Sequence, residues 1–238
     1  MRLVLDLALV LAFAVVWPLI SWKIEYPRLL ADVARGDRTA RTRAYRRTLI
    51  EQWLFVLAAL VVWLGFGRPV ATLGLHLAHP WRIAIGLAVA VGVVLFLAAQ
   101  RRTVLARPHL FAVVREKLGS AGPLVPHTAG ERRLWVALSI TAGICEEILF
   151  RGYLTALLAS WLGPIAGVAI ACLLFGFAHA YLGRRGAIRA GIAGVVMAVV
   201  VTFTGSLWVA MVLHAAIDMH SGALGSAAMA AIAEPVAA

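Results

Sequence analysis

The feature of this chain that most constrains its fold is a series of long apolar runs. A helix needs roughly 20 apolar residues to cross about 30 Å of hydrocarbon, and the first three runs cover about residues 3–22, 49–66 and 81–99. Of the 238 residues, 63% are hydrophobic and 14% are charged, against about 45–50% and about 25% in soluble domains. These values exclude a soluble globular enzyme, and the sequence predicts an all-α, polytopic transmembrane helix bundle.

The second half of the chain follows a polar connector at 101–133 and stays apolar almost to its end. Breaks at glycine and proline divide it into segments of about 134–161, 164–182, 187–204, 206–220 and 222–233. We therefore predict about seven to eight membrane helices around a buried polar cavity. The expected parts are N-terminal helices with two basic connectors (1–133), a core that carries the polar residues (134–220) and a short Ala-rich segment (221–238).

The positive charge of the chain is concentrated between the apolar runs. There are 22 basic and 11 acidic residues, a net charge of +11, and the basic residues cluster in 23–47, 101–133 and 183–189. The positive-inside rule assigns such loops to the cytoplasm, which places the N-terminus outside. We attribute the charge to topology, not to nucleic-acid binding. Arginine outnumbers lysine and asparagine is absent, which suggests a GC-rich bacterial genome and a multi-pass protein of the bacterial inner membrane.

Few ionisable side chains lie in the apolar segments, and each costs at least about 2.5–3.5 kcal/mol to insert. Asp6 and His220 fall near predicted span ends, where polar groups can reach the interface. The other six would each need a polar partner in lipid, and the nearest available partners are one another. We therefore expect one shared polar site formed by Glu146, Glu147, Arg151, His179, His214 and Asp218.

Helical spacing separates the two adjacent glutamates. Glu147 and Arg151 lie about 40° apart and one turn along, which is the spacing of a helical ion pair. Glu146 is about 140° from Arg151 and has no local counter-ion. Such a carboxylate can act as a general base or acid. The alternative is that both glutamates pair with histidines and only hold the bundle together.

Two further patterns complete the set, with Phe175 and His179 on one helix face and His214 and Asp218 on another. In order, Glu-Glu-x-x-x-Arg, Phe-x-x-x-His and His-x-x-x-Asp resemble the signature of the CPBP family. These are the type II CAAX prenyl endopeptidases and their bacterial relatives, also called Abi proteins or bacteriocin-processing enzymes. The resemblance covers about 134–220, with Asp218 where asparagine is frequent.

The resemblance implies an intramembrane endopeptidase that acts on a peptide or protein substrate in the lipid bilayer. The substrate could be a lipid-modified tail, a leader peptide or a membrane-protein segment. Position by position, it implies that Glu146 and His179 activate the water molecule. His214 and Asp218 would orient or stabilise the oxyanion. Glu147 and Arg151 would position Glu146 and His179, and Phe175 would support the site.

Several alternatives stay open. Glu146, His179 and His214 would also make a His₂Glu zinc set with one open position, although the chain has no His-Glu-x-x-His helix. Metal-dependent and metal-free hydrolysis are therefore equal alternatives, while Cys145 as nucleophile is less favoured. The same residues would also suit a non-catalytic scaffold or immunity protein, or a proton-coupled transporter, although transporters usually show inverted repeats that are not evident in this sequence.

Overall fold

The computed structural model describes residues 2–77 and 79–233, with side chains through residue 231. This part of the chain forms eight helices and no strand, which confirms the all-α bundle. The helices are α1 (Arg2–Ala34), α2 (Ala40–Gly65), α3 (Pro80–Leu105), α4 (Leu110–Leu118), α5 (129–162), α6 (Pro164–Ala178), α7 (Gly183–Thr204) and α8 (Trp208–Ala233). The last five residues of the expected C-terminal segment, 234–238, lie outside the described residues.

Four helices of the described chain are long and apolar enough to cross a membrane. They are α1, α2, α3, and α7 together with the turn before it (Ala180–Thr204). Helix α6 is apolar but has only 15 residues, and α5 carries the charged residues of the predicted site. Large apolar side chains are widely exposed on the outside of the bundle, as at Leu95 (65%) and Leu173 (73%). Such a surface fits lipid, and the protein is a multi-pass membrane protein.

The expectation of a basic connector at 23–47 needs refinement, because most of these residues are helical. Helix α1 continues to Ala34 and α2 begins at Ala40, so most of these basic residues belong to helix ends. Asp37 organises the short turn between them by accepting hydrogen bonds from the backbone N–H and the hydroxyl of Thr39, both at 2.8 Å. Hydrogen bonds from Arg43 and Thr39 hold the pKa of Asp37 well below its usual range, so this turn keeps its negative charge.

Two prolines fail to break α1 because each follows a wider helical turn. Proline removes a backbone N–H, and its ring crowds the carbonyl four residues earlier. For Pro18 that carbonyl lies in the π-helical segment Ala12–Val16, and for Pro27 it lies in the π-helical segment Ser21–Glu25. A π segment contains one extra residue per turn, which gives the ring room and lets the helix continue.

The predicted boundary between 206–220 and 222–233 is wrong, because α8 runs unbroken through Gly222. A Cβ added to Gly222 would lie 2.0 Å from Nε1 of Trp135 on α5. The glycine therefore allows α8 to pack closely against α5, and it does not end a helix.

Helix α5 begins at a capping box and changes its winding where the predicted site begins. The N–H of Glu131 donates to Oγ1 of Thr128 at 3.1 Å, and the N–H of Thr128 donates to Oε2 of Glu131 at 2.9 Å. The α-helical part ends at Glu146, a π-helical segment covers Glu147–Leu154, and an α-helical end follows. Such π segments are frequent at functional sites.

Asp6 is buried and paired, contrary to the expectation that it lies at the interface. It is 1% exposed and accepts a hydrogen bond from Nη1 of Arg68 at 2.8 Å and another from Oη of Tyr153 at 2.6 Å. Arg68 follows α2 and reaches back to α1, so Asp6 joins α1 to α5 and to the end of α2.

The three basic segments lie together at one end of the bundle. Nε of Arg41 donates to the carbonyl of Pro123 at 2.8 Å, and Nη1 of Arg189 donates to the carbonyl of Lys117 at 2.7 Å. The shared end agrees with the sequence-based expectation that these segments lie on the same side of the membrane, which we predict to be the cytoplasmic side.

We expect single cysteines at Arg38 and Arg184 to react with a membrane-impermeant thiol reagent from the same side, because both lie at the basic end. A cysteine at His76, in the loop after α2, should react from the opposite side. Cys145 and Cys172 are buried and give a low background. Labelling of inverted and right-side-out vesicles is the measurement, and labelling of Arg38 and Arg184 positions from opposite sides would contradict the layout.

Candidate active site

Four helices bring the polar side chains of the site together. Glu146 and Glu147 lie where α5 changes from α- to π-helical winding, and His179 directly follows α6. His214 is carried by α8, and Gln52 reaches the same place from α2. Because each helix contributes one or two groups, the site exists only in the packed bundle.

Glu146 has one hydrogen-bonded oxygen and one free oxygen. Its Oε1 accepts a hydrogen bond from Nε2 of Gln52 at 2.8 Å. Its Oε2 is buried and has no hydrogen-bond partner among the described residues. This oxygen lies 4.0 Å from Nε2 of His179 and 3.8 Å from Nε2 of His214. The free oxygen therefore faces both histidines across a gap that could admit a small polar group.

The orientation of His179 is set by its own helix. Its Nδ1 lies 2.9 Å from the carbonyl oxygen of Phe175. A carbonyl can only accept, so Nδ1 carries the proton, and the neutral ring presents a lone pair at Nε2. The His179 ring also packs against Phe175, with ring centroids 4.8 Å apart, and stacks on Tyr181 at 6.1 Å. The nitrogen that faces Glu146 is therefore an acceptor when the ring is neutral.

Glu147 binds both Arg151 and His214. Its Oε1 accepts a hydrogen bond from Nη1 of Arg151 at 3.0 Å, as helical spacing predicts, and lies 2.8 Å from Nδ1 of His214. The carboxylate thus favours a proton on Nδ1 of His214. That Glu147 and Arg151 position the Glu146–His179 pair stays a prediction, and the structure adds a direct bond from Glu147 to His214 on α8.

Arg151 is a buried cation with two kinds of partner. It is 7% exposed, and Glu147 is fully buried. Its guanidinium carbon lies 4.0 Å from the centre of the Phe175 ring, which is a cation–π contact. A Cβ added at Gly194 would lie 3.1 Å from Nη2 of Arg151, so glycine on α7 leaves space for this side chain.

Asp218 has the most exposed side chain among the ionisable residues of the site. Its side chain is 38% exposed, and its Oδ2 lies 3.7 Å from Nε2 of His214. The indole N–H of Trp135 donates to the backbone carbonyl of Asp218 at 3.0 Å, which ties this part of α8 to α5. Glu147 bonds Nδ1 of His214, and Asp218 lies near the opposite nitrogen.

Two cavities meet at the candidate site. The smaller, of about 250 Å³, is lined by Gln52, Glu146, His179 and Asp218. The larger, of about 1250 Å³, is lined by His179, His214 and Asp218. Basic side chains also line the larger cavity, at Lys117, Arg184, Arg185 and Arg189. His179 and Asp218 border both cavities, so these two side chains can be reached from either.

Sequence reasoning missed Gln52, which makes the hydrogen bond to Glu146. A signal was present, because Gln52 is the only amide side chain within the first three apolar runs. An amide in hydrocarbon needs a partner, but nothing in the sequence near Gln52 identifies Glu146, which is 94 residues away.

The side chains as placed do not form a zinc site. Zinc binds nitrogen and oxygen at about 2.0–2.2 Å in tetrahedral sites, so neighbouring ligand atoms lie about 3.3 Å apart. The distances from Glu146 to His179 and His214 are 4.0 and 3.8 Å. Within the described residues, no group of three or more His, Cys, Asp or Glu side chains is arranged to hold a metal ion. The chemistry below is therefore derived from the side chains alone.

The helical membrane bundle and its buried glutamate–histidine site have the features of an intramembrane protease. Residues 129–220 match the family model described as Type II CAAX prenyl endopeptidase Rce1-like. The match confirms the resemblance seen in the three motifs, and this segment is similar to the CAAX protease family. This similarity indicates protease activity in general. Comparisons with curated proteins and with solved structures found no match.

Proposed function

We propose that this chain is an intramembrane endopeptidase that hydrolyses a peptide bond in a membrane-associated or lipid-modified peptide or protein. The free Oε2 of Glu146 carries the proposal. It is buried, has no hydrogen-bond partner in the described part of the chain, and faces the Nε2 atoms of His179 and His214 at 4.0 and 3.8 Å. A carboxylate and imidazoles at this spacing are suited to hold and deprotonate a water molecule.

The geometry supports a specific path for the protons. A water between Oε2 of Glu146 and Nε2 of His179 would give one proton to Glu146 while its oxygen attacks the carbonyl carbon of the substrate. After the tetrahedral intermediate forms, the C–N bond breaks and Glu146 returns that proton to the leaving amine. Atoms and charges balance without another reactant.

His214 is suited to stabilise the negative charge that develops on the carbonyl oxygen. Its Nδ1 is held by Glu147, so its Nε2–H in the cationic form is a donor directed into the site. Asp218, 3.7 Å from Nε2, stabilises that positive ring. A carboxylate cannot donate to an oxyanion, so Asp218 acts through His214 in this mechanism.

The larger cavity is suited to admit the substrate. Its wall combines apolar side chains, such as Phe96, Val114 and Met197, with the basic residues of one end of the bundle, and it reaches His179 and His214. An apolar wall favours a substrate that carries a hydrophobic segment or a lipid chain. This supports a membrane-associated substrate over a soluble polar peptide.

We expect the protein in liposomes to cleave internally quenched peptides that bear a hydrophobic segment or a lipid-modified cysteine. His179→Gln removes the ring that faces Glu146 and should lower the cleavage rate by about 10²–10⁴-fold. His109→Gln is the matched control, because His109 is exposed before α4 and should leave the rate unchanged. The measurement is the initial rate of fluorescence increase, with product masses from mass spectrometry.

Two results would contradict the proposal. One is a folded wild-type protein that cleaves none of these peptides, and the other is full activity in His179→Gln. Proton uptake by the same liposomes in response to a solute gradient would instead support the transporter hypothesis.

A further inference from the structure

A side chain from outside the family-matched segment enters the site. Gln52 lies on α2, whereas the match covers 129–220, and its Nε2 lies 2.8 Å from Oε1 of Glu146. A carboxylate only accepts hydrogen bonds, so the amide NH₂ must face Glu146. We propose that Gln52 is a positioning residue for Glu146: it holds Oε1 and thereby directs Oε2 at the two histidines. The inference rests on the proposed hydrolysis.

Glu146 needs such a partner because its own helix provides none. The terminal torsion of a glutamate is broad and nearly two-fold, so an unbonded carboxylate could turn either oxygen towards His179. The hydrogen bond from Gln52 is the only one that Glu146 accepts within the described residues. It distinguishes the two oxygens, since one is occupied and the other remains free to take a proton.

The hydrogen-bond partners of Glu147 differ in origin from that of Glu146. Glu147 is held by Arg151 on its own helix and by His214 on α8. Both partners lie within the family-matched segment. Glu146 depends on α2 instead, so the matched segment by itself leaves the proposed base without a hydrogen-bonded partner.

Gln52 is itself held in place by the packing of α2. Helix α2 packs along α5, and five residues before Gln52 the side chain of Arg47 forms ion pairs with Glu51, at 3.1 Å, and with Glu25 of α1. The Oε1 atom of Gln52 is buried and has no partner in the part of the chain that the structure describes. Within the described residues, the side chain of Gln52 therefore makes a single hydrogen bond, the one to Glu146.

The first test is kinetic. Gln52→Met keeps the side-chain length and removes the hydrogen bond, so kcat should fall by about 10–100-fold, the loss expected for one hydrogen bond to a charged group. KM should stay unchanged because substrate binding is preserved, whereas the melting temperature should fall slightly, since the buried Oε1 of Glu146 loses its donor. Gln52→Asn keeps the amide but is one methylene too short, and its kcat should fall similarly. A structural role alone would lower the melting temperature with no selective loss of kcat.

The second test does not need activity. Infrared difference spectra of protein labelled with ¹³C at the glutamate carboxylates should show a shifted carboxylate band in Gln52→Met. The same substitution in a Glu146→Gln background should show no such shift, because the bonded carboxylate is gone. A band shift in a protein that cleaves no peptide would refute the hydrolysis while it supports the contact. Unchanged kcat, or an equal band shift in both backgrounds, would overturn the inference.

Discussion

Replacing Glu146 with glutamine should abolish peptide cleavage and leave the protein folded in the membrane. The amide oxygen of the new residue can still accept the hydrogen bond that Gln52 donates to Oε1 in the wild type. The oxygen that faces His179 and His214 would become an NH₂ group, which cannot take a proton from water. A general base alone contributes about 10²–10⁴-fold to the rate, and more where it also holds the water.

The measurement is the cleavage rate in liposomes, with membrane yield and melting temperature determined on the same samples. Glu146→Gln should match the wild type in yield and melting temperature, since the side chain keeps its volume and its hydrogen bond to Gln52. Full activity in this variant would remove Glu146 from the mechanism.

Replacing the neighbouring Glu147 with glutamine should have a different effect, because this carboxylate neutralises a buried cation. Glu147 is fully buried, Arg151 is 7% exposed, and the two are joined at 3.0 Å. Removing one partner of a buried ion pair costs about 3–5 kcal/mol, a large part of a typical folding free energy of about 5–15 kcal/mol. We therefore expect lower membrane yield and melting temperature. The cleavage rate should fall as well, because His214 loses the carboxylate on Nδ1.

The double variant Glu147→Gln, Arg151→Met separates these two effects. It removes the stranded cation, so yield and melting temperature should recover in part. His214 would still lack its carboxylate, so the cleavage rate should stay well below that of the wild type. If Glu147→Gln and Glu146→Gln behaved identically in all three measurements, the division of roles between the two glutamates would be wrong.

The spacing of residues along one helix was sufficient to predict several residue pairs of this site. The ion pair of Glu147 with Arg151 follows from a separation of one helical turn, and it is present. The same holds for Phe175 with His179 and for His214 with Asp218, which lie one turn apart and are in contact or close approach. These pairs depend only on helical winding, which the apolar runs predict.

Residue spacing within one helix could not predict the contacts between helices. The bond from Gln52 to Glu146 joins residues 94 apart, and the bond from Glu147 to His214 joins residues 67 apart. Both depend on which faces of α2, α5 and α8 meet. The sequence offered Glu146 and Glu147 equally to any neighbouring helix, so it did not reveal that Glu147 bonds to His214.

The sequence by itself determined that this chain is a multi-pass helical membrane protein. The reason is that backbone hydrogen bonding and the thickness of the hydrocarbon constrain the length and polarity of a helix in lipid. The sequence also placed ionisable groups, which are unfavourable in lipid, on three of its segments. It also showed that the segment that bears them resembles the CAAX proteases. Only the tertiary structure decided that Glu146 has a free oxygen, that His214 is held by Glu147 and that α2 completes the site. Those features depend on the relative rotation and depth of packed helices, and these are set by close contacts such as Gly222 against Trp135, which no single segment of the sequence reveals.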